Sequence, residues 1–571
     1  MKESVLKTHP VIPNTNISTL FDLVSLKNRK ETAIDCLDLE ASYQDLIDDS
    51  RVMAKAFREL GIKKNDIICI SMPNIYQAIV SFFALNRIGA CTTFLNSFSS
   101  SEEIIHYLNE FESSVFINYD RNYEYNDTIK KNTKVKQIIT LKKENLNVKH
   151  FNSDKKNISY DDFIDYSDLG LLANYYKSLN NTIHTGNRDA LILFTSGTTG
   201  TPKAVVLTNK NIVASCIYLK NSSNTKAKKG ESTLVCVPFT YPYGFATSTL
   251  TSLMCGRKAI LGPNLSKDNI SYYLSKKPNI IFGSPALLEL IKRYTLPNQD
   301  LSSIHTFISG GDFLTPQKNK EGQDFFKEHN ATVSICNGSG NAETVGASTN
   351  AVGVPENLDT VGKILIGTHA IIMNDDYTKE LGFDKEGLLC ISGNHVFKKY
   401  YNNSKGTMDA KFEYKNKTYF KTGTRGILYE NGYFKLTGRD SRYYIISTLN
   451  KVYCDRVQLL MSYIDEIEDV AFVPKPDEEM LFVGIAYVVL KKGLTPTKEI
   501  KERIYEKCQK TLVSPNGDEV QLKENEIPVE IVFVNELPRT KADKIDYNEL
   551  EEKAKKLVLK ARCWSLVFFM V

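Results

Sequence analysis

The amino-acid sequence predicts an α/β fold built of mainly parallel sheets with helices packed against them. From about residue 31 onward, short apolar runs that suit strands alternate with amphipathic runs that suit helices. The chain has 571 residues, which is enough for two or more domains with their own hydrophobic cores. Alternation of this kind is typical of parallel sheets whose strands are joined by crossover helices.

The first elements of this alternation carry the clearest signals. TAIDCLDL, from Thr32, predicts a strand, and SYQDLIDDSRVMAKAFRELG predicts a helix with one apolar face that ends at Gly61. IKKNDIICISMPN predicts the next strand, and IYQAIVSFFALNRIGACTTFL predicts a helix, a glycine break and a strand. In SSSEEIIHYLNEFESSVFINY, serines followed by acidic residues predict a capped helix, and a further strand follows it.

The middle and end of the chain depart from this alternation. Residues 120–188 are rich in Asn, Lys, Asp and Tyr and contain one short apolar run at 137–141, so we interpret them as a surface excursion. Strands and helices resume at Asp189, and a β-rich segment near residues 386–439 predicts a small β-subdomain. From about Tyr443 the pattern predicts a small α+β domain with a strand hairpin.

A dense group of hydroxyl residues and glycines lies between two apolar runs, at 190–194 and 204–207. It is TSGTTGTPK, from Thr195 to Lys203. Glycines let backbone approach an anion closely, and N–H groups and hydroxyls can donate to phosphate oxygens. The spacing excludes a Walker loop, because only two residues separate Gly197 from Gly200, and no G-x-G-x-x-G is present. The segment therefore predicts a different phosphate-binding loop.

Composition excludes several other classes. The net charge of +5 comes from 72 basic and 67 acidic residues, so nothing in the charge balance indicates a nucleic-acid partner. The 11 cysteines form no C-x-x-C pair, which favours reduced thiols in a cytoplasmic protein. MKESVLKTHP contains no apolar leader, and no apolar run is long enough for a transmembrane segment. Oligomeric state is not predicted.

The unbroken TSGTTGTPK closely resembles the signature loop of the adenylate-forming superfamily, which includes acyl-CoA synthetases. The segments around SYQDL, GIKKND and MPN, the KTGTRG and NGYFKLTGR runs, and LPRTKADKI from Leu537 resemble other superfamily motifs in the same order. The resemblance implies an N-terminal AMP-binding domain at 1–439 and a small mobile C-terminal lid at 440–556. Residues 557–571 would form an apolar tail outside both domains.

The resemblance also implies roles for individual residues. Lys544, Glu343 and Lys203 would be catalytic, and Glu343 would also bind Mg²⁺, which prefers oxygen ligands. The residues expected to bind ATP are Thr195, Ser196, Gly197, Thr198, Thr199, Gly200, Gly310, Gly311, Ser339, Gly340, Thr424 and Arg439. Tyr241 and Gly244 would line the pocket for the acid.

This chain departs from the superfamily pattern where the nucleotide would bind. Thr424 stands where an aspartate usually accepts from both ribose hydroxyls, and a hydroxyl cannot replace a carboxylate fully. Ser339 and Ala342 replace the usual tyrosine and threonine. Asp440 is a candidate to compensate for Thr424. In STLNKVYCDRVQ the glycine that lines the pantetheine channel of CoA ligases is absent, and the hinge acid falls near Arg442.

The implied reaction is the activation of a small-molecule carboxylic acid by ATP, with Mg²⁺, to an acyl-adenylate, followed by transfer to a thiol. Three hypotheses stay open: a ligase that uses CoA, a ligase that loads the phosphopantetheine of an acyl carrier protein, and a nucleotide-binding relative with little activity. Thr240 stands where amino-acid-activating relatives often carry an aspartate, which disfavours an α-amino acid because a buried unpaired ammonium is costly.

Overall fold

Two large sheets form the framework of a computed structural model. The structure describes residues 10–146, 163–166, 169, 185–195, 202–222, 230–263, 265–311, 314–350, 360–440, 442–445, 451–477, 481–514, 517, 519–540 and 544–557. The predicted α/β fold, with its small β-subdomain and C-terminal domain, is confirmed.

The first sheet has eight strands. Their spatial order is Lys399–Tyr400, Ala204–Thr208, Asp189–Phe194, Cys91–Phe94, Ile67–Ser71, Val115–Tyr119, Gln137–Leu141 and Phe163–Asp165. Neighbours run parallel except around Ala204–Thr208, which is antiparallel to both of its neighbours. The last two strands lie in the stretch interpreted as a surface excursion. The described part of that stretch instead extends the sheet, because Gln137–Leu141 pairs along its whole length with Val115–Tyr119.

The second sheet has seven strands. Their order is Ser334–Asn337, Thr306–Ser309, Ile280–Gly283, Ser232–Val235, Lys258–Leu261, Thr32–Cys36 and Leu39–Ser42, and only the last pair is antiparallel. Because six neighbouring strands are parallel, their carboxyl ends lie at one edge. That edge carries the loops of the candidate site.

Helices cover these sheets. They are Ile17–Val24, Tyr43–Glu59, Tyr76–Ile88, Ser101–Glu110, Asn126–Asn132, Asn209–Ser222, Ile270–Ser275, Pro285–Tyr294, Pro316–Glu328 and Ser404–Asp409, together with a π-helix at Tyr243–Leu250 that continues into Thr251–Met254. Tyr43–Glu59 begins with a capping box between Ser42 and Asp45. Every residue of Tyr76–Ile88 except Arg87 is buried, because this helix belongs to the main core.

The small β-subdomain is an antiparallel sheet ordered His369–Met373, Glu386–Ser392, Lys417–Leu428 and Lys411–Tyr414, with Phe434–Arg439 also paired to Lys417–Leu428.

The C-terminal domain has its own core. Its sheet is Ile467–Asp477, Leu481–Leu490 and Glu530–Phe533, and its helices are Cys454–Met461, Lys498–Cys508 and Tyr547–Lys555.

Short strand pairs complete the fold, at Thr349–Asn350 with Lys363–Ile364, Tyr443–Ile445 with Lys451–Tyr453, and Leu512–Val513 with Glu519–Val520.

The ten cysteines among the described residues are all free thiols. Within the same residues, no helix has the length and apolar character needed to cross a bilayer. The tail predicted at 557–571 lies outside the described residues from 558 onward.

Candidate active site

A cavity of about 1130 Å³ lies where the second sheet, the phosphate-loop strands, the β-subdomain and the C-terminal domain meet. Most of the sequence-predicted site residues line it, although they are spread over about 350 positions of the chain. Those that line it are Thr195, Lys203, Tyr241, Gly310, Gly311, Ser339, Gly340, Glu343, Thr424, Arg439 and Lys544.

Two groups of predicted residues are placed differently. Ser196, Gly197, Thr198, Thr199 and Gly200 lie outside the described residues. Gly244 does not line the cavity and packs behind its wall, where an added Cβ would lie 2.3 Å from the carbonyl oxygen of Val237. Gly244 was predicted to line the pocket for the acid, and that prediction needs correction. Its lack of a side chain instead lets the backbone pack closely against Val237.

The neck of the phosphate loop is closed by reciprocal hydrogen bonds. The backbone N–H of Thr195 donates to the carbonyl of Lys203 at 3.0 Å, and the N–H of Lys203 donates to the Thr195 hydroxyl at 2.9 Å. These bonds continue the ladder between the strands Asp189–Phe194 and Ala204–Thr208. They fix the point at which the Lys203 side chain enters the cavity.

Glu343 is a buried carboxylate beside Lys203. It accepts a 2.5 Å hydrogen bond from the hydroxyl of Tyr400, and the Lys203 ammonium lies 5.0 Å from the centre of the Tyr400 ring. Burial raises the pKa of Glu343, while the Tyr400 hydrogen bond and the charge of Lys203 oppose that rise. Burial and the nearby Glu343 charge raise the pKa of Tyr400, so its phenol stays a proton donor.

The Glu343 backbone is held by the segment that leads into the strand of Tyr400. Its carbonyl accepts from the N–H of Phe397 at 2.7 Å, and Lys399–Tyr400 pairs with Val205 and Val206 just beyond the phosphate loop. One short strand thus links the candidate phosphate and metal residues. Sequence reasoning missed Tyr400, because nothing in KKYYNN shows which tyrosine faces Glu343.

Close backbone packing shapes two further walls. A Cβ on Gly340 would lie 2.4 Å from the carbonyl oxygen of Gly346, so only glycine fits there. A Cβ on Gly310 would lie 2.8 Å from the ring of Tyr243, whose hydroxyl donates to the Ile308 carbonyl at 2.6 Å. Tyr243 was also missed, since the sequence pattern singled out Tyr241.

Thr424 and Arg439 stand directly opposite each other on neighbouring antiparallel strands, and both line the cavity. The N–H of Thr424 donates to the Thr422 hydroxyl at 3.1 Å. Asp440 does not supply the missing carboxylate: it does not line the cavity, and its N–H donates to the Gly423 carbonyl at 2.8 Å. Among the described lining residues, Glu343 is the only one with a carboxylate side chain.

Lys544 reaches the cavity from the C-terminal domain. An added Cβ on Gly311 would lie 3.9 Å from the Cε of Lys544, which places the lysine at the carboxyl end of the second sheet. Its backbone is held by Thr540, whose N–H donates to the Lys544 carbonyl at 2.8 Å. An ion pair of 2.7 Å between Lys318 and Asp469 joins the two domains nearby.

The connection between the domains lies at residues 440–442, where the hydrogen-bond partners change from the β-subdomain to the C-terminal domain. The N–H of Asp440 donates to Gly423 and that of Arg442 to Arg439, both in the β-subdomain, whereas the carbonyl of Arg442 accepts from Cys454 of the C-terminal domain. The Arg442 guanidinium pairs with Asp455 and lies 3.3 Å from the centre of the Tyr547 ring. Arg442 therefore anchors the start of the C-terminal domain.

These features define the class of protein. The chain matches the AMP-binding enzyme family over residues 24–401 and the AMP-binding enzyme C-terminal domain over residues 460–544. It belongs to this AMP-binding enzyme family, which is the adenylate-forming superfamily that its sequence motifs indicated. Its relatives in the family include acyl- and aryl-CoA ligases.

Individual relatives are distant but extensive. A probable CoA ligase of Humulus lupulus is 26% identical over 454 residues, which are 77% of each chain. A long-chain-fatty-acid–CoA ligase of Bacillus subtilis is 24% identical over 560 residues, which are 95% of each chain. Among solved structures, an anthranilate CoA ligase in complex with anthranoyl-AMP has a TM-score of 0.80 at 17% identity, covering 95% of this chain and 98% of that one.

ATP-bound MatB from Rhodopseudomonas palustris has a TM-score of 0.78 at 19% identity, covering 95% of this chain and 99% of that one. At these identities the solved structures show that the fold is shared. The acids that these names state differ, a long-chain fatty acid in one and anthranilate in another.

Proposed function

We propose that this protein activates a carboxylic acid with ATP and transfers the acyl group to the thiol of CoA. One observation carries the proposal: a single cavity is lined by the phosphate-loop neck, by the buried carboxylate of Glu343 and by Lys544 of the other domain. These are the groups that a reaction between two anions requires, since its barrier is lowered mainly by alignment and charge neutralisation.

In the first step a carboxylate oxygen attacks the α-phosphorus of ATP, pyrophosphate leaves, and an acyl-adenylate remains. Lys203 and Thr195, with the loop between them, would hold the departing phosphates. Lys544 would neutralise the charge that develops between the carboxylate and the α-phosphate. Arg439 and Thr424 would bind the ribose, and Tyr241 would contact the acid.

The residues present fit a magnesium ion. Within the described part of the chain no cluster of three or more His, Cys, Asp or Glu side chains could hold a metal alone. Mg²⁺ in nucleotide sites needs only one or two carboxylates, with phosphates and water as its other ligands. Glu343 supplies one such carboxylate. Bound there, Mg²⁺ would neutralise phosphate charge, and Tyr400 would keep Glu343 oriented.

In the second step the thiol sulfur attacks the acyl carbonyl, AMP leaves, and a thioester forms. We take CoA as the acceptor because the names of the relatives are mostly those of CoA ligases. We also propose that the chain divides into a domain at 1–439 and a lid at 440–556, because the bonding partners change between Asp440 and Arg442.

The decisive experiment is ATP–pyrophosphate exchange with pools of aliphatic, aryl and amino acids. Exchange with one pool would establish adenylation and identify the class of acid. Absence of exchange with every pool, in protein shown to be folded, would contradict the proposal and favour a nucleotide-binding relative. With an active acid, thioester formation is then compared between CoA and the phosphopantetheine of a carrier protein. Transfer to the carrier protein alone would overturn the choice of CoA.

A further inference from the structure

The cavity does not end at the candidate catalytic residues. It continues between one face of the second sheet and one side of the helix that begins at Tyr243. On the sheet, Ile280 and Phe282 line it, and their register partners Thr306 and Ile308 line it too. The alternate residue Ile281 belongs to the core on the opposite face. The cavity therefore follows the strands from their carboxyl ends back toward their amino ends.

The opposite wall is one side of a helix. Tyr243, Thr247, Thr251 and Cys255 line the cavity at four-residue spacing, whereas Phe245, Leu250 and Leu253 of the same segment are buried in the main core. From Thr247 to Cys255 the helix advances on the order of 10 Å. We call the space between these two walls the strand channel.

Tyr243 stands at the entrance of the strand channel. Its hydroxyl bonds to the carbonyls of Gly283 at 3.3 Å and Ile308 at 2.6 Å, so its ring crosses from the helix to the sheet. Gly310, which lines the cavity next to Gly311 and so at the Lys544 end, packs against this ring. Tyr243 therefore separates the candidate catalytic end from the strand channel.

The strand channel offers a ligand little polar interaction. Its threonine hydroxyls already bond within the protein, with Thr247 donating to Val345 at 3.0 Å, Thr251 donating to Ala246 at 3.2 Å and Thr306 sharing a 2.9 Å contact with His305. A polar group placed there would lose its hydration without finding a free partner. An apolar chain has no polar group that would lose its hydrogen bonds to water on entering the strand channel.

Beyond this stretch, at the end away from Lys544, charged residues line the cavity again. The Arg257 guanidinium is paired with Glu231 at 3.2 Å, both side chains being 8% exposed, and Lys220 is exposed. Both basic residues lie close enough to Cys255 for their charges to lower the pKa of its thiol, against the rise that burial causes. The strand channel thus leads from the candidate catalytic residues to a basic far end.

From this geometry we propose that the acid is a long, unbranched aliphatic carboxylic acid whose tail lies in the strand channel, with Thr251 and Cys255 setting the length accepted. The proposal rests on the proposed function. The carboxylate would lie near Lys544, and the methylene chain would pass Tyr243 between the sheet and the helix. Each buried methylene is expected to improve binding roughly fourfold until the tail passes Cys255.

The test measures ATP–pyrophosphate exchange with acetate, benzoate, hexanoate, decanoate and palmitate. For the unaltered protein, KM should fall from hexanoate to palmitate. Thr251→Phe blocks the strand channel near its middle and should raise KM for palmitate and decanoate at least tenfold, while hexanoate changes less than about twofold. Cys255→Phe blocks the far end and should affect palmitate more than decanoate. Thr251→Val and Cys255→Ser keep the size of each side chain and should preserve the order of the acids.

A matched control lies on another part of the cavity wall, formed by Ala286, Leu287 and Leu290 of the helix Pro285–Tyr294, and we call the space beside these residues the recess. Ala286→Phe fills that recess and should leave the chain-length order unchanged. If Ala286→Phe excludes palmitate and the two blocked variants do not, the tail lies in the recess and the proposal is wrong. Preference of the unaltered protein for acetate or benzoate would also overturn the proposal of a long aliphatic acid. The same result would establish adenylation, so the proposed function would stand.

A binding measurement separates this proposal from the proposed function. Radiolabelled palmitate is equilibrated with the unaltered protein and with Cys255→Phe, whose position is partly exposed and tolerates a larger side chain better than the buried Thr251. Saturable binding that Cys255→Phe weakens at least tenfold supports the strand channel even if no acid gives exchange. Absence of saturable palmitate binding by the folded protein overturns it.

Discussion

Tyr400 donates a 2.5 Å hydrogen bond to Glu343, and this pair joins the candidate metal ligand to the strand beside the phosphate loop. Tyr400→Phe removes the donor and leaves the buried carboxylate without this partner. A hydrogen bond to a charged group contributes about 1.5–3 kcal/mol, so adenylation should fall on the order of tenfold or more at low Mg²⁺. The rate is measured against Mg²⁺ concentration. Tyr401→Phe, at the adjacent position, should leave the rate unchanged, and equal losses in both variants would contradict the role given to Tyr400.

The same pair sets a pH dependence. Burial raises the pKa of Glu343, and activity requires its ionised form, so the rate should rise with pH through that raised pKa. Tyr400→Phe removes an interaction that lowers the pKa, so the acid limb of the profile should move to higher pH. Profiles of kcat/KM for both proteins measure the shift. An acid limb that stays in place would show that another group titrates.

Lys544 is expected to act on the transition state more than on ATP. Lys544→Ala should lower adenylate formation by on the order of 10²–10³ and leave ATP affinity largely intact, because the charge it neutralises develops during the reaction. Pyrophosphate release and equilibrium binding of ATP measure the two properties. Lys553→Ala alters an exposed lysine of the neighbouring helix and should behave like the unaltered protein. Equal activity of Lys544→Ala would remove its assigned role.

In the proposed function, Thr424 would leave the ribose without a carboxylate partner. Thr424→Asp should tighten ATP binding, since a carboxylate accepts from both ribose hydroxyls and Arg439 lies directly opposite. Thr424→Asn supplies one acceptor without the charge and should give a smaller gain. Binding is followed by titration with ATP. Unchanged affinity in Thr424→Asp would mean that another group holds the ribose.

Lys318 and Asp469 join the domains in the arrangement that brings Lys544 to the cavity. The side chains are 12% and 20% exposed, so the pair is worth about 1 kcal/mol after solvent screening. Lys318→Ala should therefore slow adenylate formation roughly fivefold. Single-turnover measurements separate this step from thioester formation, which should change less. Lys320→Ala, on the exposed side of the same helix, is the control, and equal slowing of both steps would contradict the interpretation.

His395 is fully buried, and neither of its ring nitrogens has a hydrogen-bond partner within the described part of the chain. Burial lowers its pKa to about 4. The folded state therefore binds fewer protons than the unfolded state, and the free energy of unfolding decreases as pH falls from about 6.5 toward 4. Between pH 7 and pH 5 the loss should be about 2 kcal/mol.

His395→Phe should melt at similar temperatures at both pH values, whereas the unaltered protein should melt at a lower temperature at pH 5. His106→Gln alters an exposed histidine and should retain the loss. If His395→Phe loses as much stability as the unaltered protein, other groups dominate the pH dependence.

The sequence predicted the fold and most residues of the candidate site because the signals are local. The alternation of strands and helices needs only neighbouring residues. TSGTTGTPK and LPRTKADKI each carry their motif within about ten positions. Thr195, Lys203 and Lys544 could therefore be named before any fold was known, and all three line the cavity.

The tertiary structure decided what depends on contacts between distant segments. Tyr400 is important because its strand pairs with Val205 and Val206, about 195 positions earlier. Gly244 packs behind the wall, and Tyr243 crosses to the sheet instead. Asp440 does not line the cavity, although it lies next to Arg439 in the sequence. The strand channel exists only between a sheet face and a helix side. Sequence patterns report the periodicity of one segment, whereas a cavity is a property of surfaces that several segments bring together.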